Sequence, residues 1–202
     1  MSDVYVVVIN GLSAQRSLSD IPKDTQRNAL RAVNKMAQRA RAEGSRQIRS
    51  QVAFTAGYLN QNERFTFKAA RSLDDEAVVA ARVRPTSLAR FVTSGKPGNS
   101  KTGVRVKVSP DRAIRSRKMF LIRLRAGDEL TETKFNLGLA IRLKEGETIS
   151  NKIKMVQMSK GLYLLYGPSI SQVFQTVAED MAPEVAADVE AEFLRLMELN
   201  LR

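Results

Sequence analysis

The 202-residue chain contains no cysteine and no histidine. Without cysteine it can form neither disulfides nor thiolate metal sites, which fits a reducing compartment. Without histidine the usual general base, the usual zinc ligand and the usual switch near neutral pH are missing together. The two absences exclude a Ser–His–Asp triad and a Cys–His pair. An enzyme built here would need carboxylates, lysine or a hard metal ion. Long apolar runs are lacking too, none approaching the ~18 residues of a membrane span. The opening "MSDVYVVVIN" has no cationic stretch and no long apolar core, so it does not read as a signal peptide, and no membrane partner is expected.

Acids are scarce in one part of the chain. Residues 1–125 hold 25 Lys/Arg against 9 Asp/Glu, a net +16, and residues 126–202 hold 8 against 12, a net −4, together the +12 of the whole. A basic front and an acidic back predict two different surfaces. That split fits a solvated basic face, contact with nucleic acid, or head-to-tail pairing of copies. The chain length fits one domain burying roughly 70% of its unfolded surface.

The hydrophobic pattern predicts an α+β fold: a long N-terminal amphipathic helix and C-terminal helices packed on an antiparallel β-sheet. "VYVVVI" (4–9) reads as a strand and the next fifteen residues as a loop. A helix should begin near Pro22–Asp24, where proline suits the first turn and the acid suits the dipole, and run to about Phe54. "TAGYLNQNE" fits one short helix. Strands are predicted at 64–70, 76–84, 103–109, 119–125, 135–143 and 162–166. Val104, Val106, Val108, Leu137, Leu139 and Ile141 are expected to face one core, covered by the long helix through Val33, Met36 and Ala40. Pro183 should divide the C-terminal helical stretch.

The long helix separates its residues by chemistry. At 100° per residue, Arg27, Arg31, Lys35, Arg39, Arg46 and Arg49 fall within about 120° of one another. Val33, Met36, Ala37, Ala40, Gly44 and Ile48 fall on the opposite side. The small residues predict close packing, and Gly44 costs about 1 kcal/mol against alanine in a helix, a cost that tight packing or a local break would explain. The basic stripe is a solvated face, a DNA contact or a contact with an acidic neighbouring subunit.

Other motifs are weaker. "GKPGNSKTG" (95–103) has a phosphate-loop look, but Ser100 stands where glycine must precede the lysine, and a strand pattern follows where a helix must begin. A basic hairpin loop accounts for it. "SPDRAIRSRK" (109–118) is a second basic cluster, predicted to be a loop, with Arg112, Arg115, Arg117 and Lys118 but no interleaved aromatics to stack bases. Possible contacts to DNA phosphates are therefore Arg112, Arg115, Arg117 and Lys118, with the stripe residues Arg31, Lys35 and Arg39, and they would carry no sequence preference. The acid clusters "DDE" (74–76) and "GDE" (127–129) sit in turn contexts and lack metal-site spacing. No catalytic, cofactor-binding or metal residue is assigned. The C-terminal stretch is acidic and amphipathic, and Glu184, Asp188 and Glu192 are candidates for a subunit interface, if that helix does not pack on its own domain instead.

The order of pieces runs from "IPKDTQRNALRAVNKMAQRARAEGSRQI" through "RFTFKAARSLDDEAVVAARVRPTSLARF", "GVRVKVS", "FLIRL" and "LAIRL" to "YGPSI" and "VFQTVAEDM". It resembles the minor tail protein Z family of long-tailed bacteriophages, the tail completion proteins, and more distantly other phage neck components. The resemblance covers about residues 20–182. It implies a single tail-completion-like domain over 1–182, followed by an acidic helix at 183–202 on that domain or on a neighbouring subunit. It further implies a structural virion protein, not an enzyme, that aids head–tail joining and placement of the DNA end. The implied partners are copies in a homo-hexameric ring, the tail terminator, the head connector and the end of the packaged DNA. The implied location is the virion neck, with host cytoplasm during assembly. The alternative is a free, non-specific, phosphate-contacting nucleic-acid-binding protein.

Overall fold

A computed structural model describes residues 4–9, 22–95, 97, 103–124, 136–147 and 153–200. The chain divides into two units, one made of residues 1–49, 54–84 and 170–202, the other of 50–53 and 85–169. Each builds its own core, so the expectation of one shared core is corrected.

In the first unit, the helix α1 spans Lys23–Gln51, with Asp24 in its first turn and Arg49 in its last, both favourable to the dipole. It buries Ala29, Val33, Met36, Ala37, Gly44 and Ile48, the apolar face that helical spacing predicts, while Ala40 is only half-buried. The short helix α2 (Ala56–Asn60) is capped by Thr55, whose side chain accepts from the Tyr58 N–H. Strands β1 (Val4–Ile9), β2 (Phe65–Lys68) and β3 (Ala77–Arg82) form an antiparallel sheet with β3 in the middle. Ala77, Val79 and Ala81 alternate inward along β3. Helix α3 (Ile170–Asn200) packs on this sheet and on α1. Val33, Met36 and Ala37 meet Ala70, Ala77 and Val189 in one cluster.

Further along α1, a β-carbon on Gly44 would lie 3.0 Å from Phe174 and 3.3 Å from Phe65. The two rings meet edge to face, with centroids 4.8 Å apart. Gly44 is therefore a close-approach position, the first of the two explanations its sequence offers.

The predicted break at Pro183 does not occur: α3 runs through it as one helix. Proline removes one N–H from the ladder, and Pro183 is exposed, while Val177 and Met181 before it and Val189 after it are buried. Burial on both sides holds the helix across the missing bond.

The second unit holds two more antiparallel sheets. β4 (Thr86–Ser87), β8 (Met119–Leu124), β9 (Asn136–Arg142), β10 (Lys154–Ser159) and β11 (Leu162–Gly167) make one, in the order β10-β11-β9-β8 with β4 also on β11. β5 (Val92–Ser94), β6 (Val104–Val106) and β7 (Ile114–Ser116) make the other, in chain order. Leu139 and Ile141 on β9 face inward with their partners' Leu121 and Leu165 and with Leu88 and Phe91 of the 3-10 turn that follows β4. The predicted alternation on β9 fails in part. Gly138 and Ala140, which point the other way, are buried as well, because Leu164 and Leu124 close over Gly138. Leu137 is 37% exposed and Val108 half-buried, so neither is a core residue, whereas Val104 and Val106 are. Four strands escape the sequence pattern: the short β4 and β5, β7, which lies in the segment predicted as a loop, and β10. β10 closes on β11 by a two-residue turn in which Gly161 takes φ +72°, the left-handed region glycine favours.

Candidate functional site

Most stripe cations of α1 have partners within the first unit. Lys35 Nζ donates to Glu192 Oε1 at 2.8 Å, and Arg39 pairs with Asp188 at 3.2 Å. Arg27 pairs with Asp24 and Arg46 with Glu43, each one turn away. Arg49 donates to the Ser45 carbonyl. Arg31 is exposed and has no ion pair among the described residues. Separately, Arg41 donates to Asn60 Oδ1 at 2.6 Å and to the Phe65 carbonyl at 3.0 Å, fastening α1 to α2 and β2.

The acidic helix meets the basic helix inside one chain. Glu192 is only 9% exposed and receives a two-pronged hydrogen bond from Arg195, at 2.7 and 2.9 Å, besides the one from Lys35. Those donors, Arg195 first and Lys35 second, outweigh desolvation and lower the carboxyl to about 2 from its ordinary 4.5. Of the three candidate interface acids, Asp188 and Glu192 are thus engaged within the chain, and Glu184 is exposed.

Two polar side chains in this unit do structural work that the sequence does not announce. Asn34 makes a reciprocal pair with Ala70, its amide donating to the Ala70 carbonyl at 2.9 Å and its oxygen accepting from the Ala70 N–H at 2.8 Å. Asn28, 2% exposed, donates to the Leu196 carbonyl at 3.2 Å. Both partners are distant in sequence, so no local motif could have pointed to them.

The "DDE" acids form a turn. Asp75 accepts from the backbone N–H groups of Arg71 and Glu76, each at 3.0 Å, and these bonds hold its carboxyl below the ordinary carboxylate range. "GDE" lies outside the described residues. Among the described residues no three potential ligands converge on a metal position, and no helix is long and apolar enough to cross a membrane. The phosphate-loop-like segment joins β5 to β6, which pair antiparallel, and most of its residues lie outside the described set.

The second basic cluster differs from the first. Lys118 hydrogen-bonds to Glu147, which lowers the Glu147 carboxyl with help from the Lys144 N–H. Arg112, Arg115 and Arg117 are exposed and have no acid partner among the described residues. The β6–β7 register adds a member that the 109–118 segment does not contain: Arg105 stands directly opposite Arg115. Lys107, exposed and on the same face by alternation, adjoins them. The strand alternation of "GVRVKVS" shows the outward face of Arg105 and Lys107, but only the strand pairing brings them beside Arg115. Searches of protein-family models, of curated proteins and of solved structures found no match to the chain.

Proposed function

We propose that this chain is a structural virion protein of a long-tailed phage. On this reading it is a tail completion or neck subunit in a homo-hexameric ring at the head-proximal end of the tail. It would touch the tail terminator and the head connector there and help seat the DNA end. It would reside in host cytoplasm only during assembly. The order of elements carries the reading: a long basic helix, the antiparallel strand pair β8–β9, and a strand-to-helix junction at "YGPSI". In that junction Tyr166 and Gly167 close β11 and Ile170 opens α3. The chemistry is that of a building block, since a chain without histidine or cysteine has neither of the commonest catalytic side chains.

The acidic helix would contribute less to ring closure than its charge suggests. Asp188 and Glu192 already have in-chain partners, so a neighbouring copy must be held mainly by other surface. Deleting the gene from a phage that encodes it should leave heads and tails that do not join, restored by the gene in trans. Immunogold labelling should place the chain at the head-proximal end of the tail. Normal particle yield without it, or its absence from purified particles, would overturn the reading. The second reading, a free nucleic-acid-binding protein, is favoured by the cations of β6 and β7, which have no acid partner among the described residues, and it predicts that absence.

A further inference from the structure

We propose that the outward face of the β5–β6–β7 sheet docks the phosphate backbone of duplex DNA through Arg105, Lys107, Arg115 and Arg117, with Arg112 at the hairpin tip. The argument begins from how the cations are distributed. On α1, Lys35 and Arg39 are matched by α3 acids, and Arg27 and Arg46 by acids one turn away. On the small sheet no cation is matched among the described residues: β5, β6 and β7 read VTS, VRV and IRS, without a single acid. Asp111, in the β6–β7 connection, is exposed and forms no ion pair among the described residues.

The register makes the arrangement specific. Arg105 lies between Ser94 on β5 and Arg115 on β7, a row of one hydroxyl and two guanidinium groups across three strands. Like charges directly opposite each other in a ladder repel and destabilise the pairing. Val104 and Val106 fix that register from below by burying the opposite face, so the two arginines cannot slip apart. A polyanion laid across the row relieves the repulsion, and paired guanidinium groups suit phosphate oxygens.

Duplex fits better than single strands. The three strands contain no aromatic residue on which an unpaired base could stack. B-DNA presents a phosphate charge about every 1.7 Å of its axis, dense enough for several cations on one face to be used at once. Contacts to phosphates carry no sequence information, so binding made through them would ignore sequence.

The inference stands on charge distribution and not on the virion assignment, and the two can fail separately. The test is the anisotropy of a labelled duplex of about 20 base pairs titrated with the full chain over a salt series. Each phosphate contact contributes about 0.9 to the slope of log affinity against log salt. Replacing Arg105, Arg115 and Arg117 together by glutamine should therefore lower the slope by between about two and three, with no loss of melting temperature. The corresponding lysine variant should keep most of it. Replacing Arg31, Lys35 and Arg39 by glutamine should leave it unaltered. No binding at about 50 mM salt, an unchanged slope in the sheet variant, or loss of slope in the helix variant would overturn the proposal. Displacement of the duplex by poly-glutamate as readily as by unlabelled DNA would do the same, pointing to an acidic protein partner instead.

Discussion

Single residues decide how the helices approach. Gly44 has no side chain because the Phe174 and Phe65 rings occupy the space beside it. Gly44→Leu should cost about 1–3 kcal/mol of stability through overpacking, measured by chemical denaturation. In a Phe174→Ala background the same substitution should cost less, since the two positions share one space. Glu192 is the second such residue. Its carboxyl is depressed to about 2 from 4.5 by Arg195 and Lys35, so its contribution is complete above pH 4.5 and fades as pH falls toward 2. The melting temperature of the native chain should exceed that of Glu192→Gln at pH 6, and the two should converge near pH 2. A difference independent of pH over that window would show that the charge of Glu192 is not what stabilises it.

At the scale of elements, patterns with a clean period were legible and those without were not. α1 announces both faces in its sequence, and Leu139 sits at a predicted inward position and is fully buried. Leu139→Ala should therefore cost about 2–5 kcal/mol, while Leu137→Ala, at a position 37% exposed, should cost clearly less. Equal losses would contradict the burial pattern. β10 was illegible because an edge strand exposed along most of its length, reading KMVQMS, needs no alternation. β7 was illegible because its ladder with β6, not its own composition, makes it a strand. Pro183 misled because a local rule about proline ignores burial on either side. The candidate surfaces were half legible. The cations could be counted from the sequence, but which of them an acid neutralises depends on contacts such as Lys35 to Glu192, separated by 157 positions.

For the whole molecule, two units with separate cores predict that unfolding is not one transition. Calorimetry should resolve two components. Leu139→Ala should lower one of them and Gly44→Leu the other, because these residues belong to different units. If both variants shift a single peak equally, the units unfold as one.

The first unit is not continuous in sequence: residues 85–169 intervene between β3 and α3. A ribosome makes the chain from its N-terminus, and domains tend to fold in that order. Here that order is upset, because α1 must wait for α3 to complete its unit. Until α3 leaves the exit tunnel, the face of α1 that will hold Val189 stays open to water, and Lys35 and Arg39 are without their acids. Throughout that interval two cations of α1 lack their counter-charges, and the residues that supply them are made only after the whole of the intervening segment.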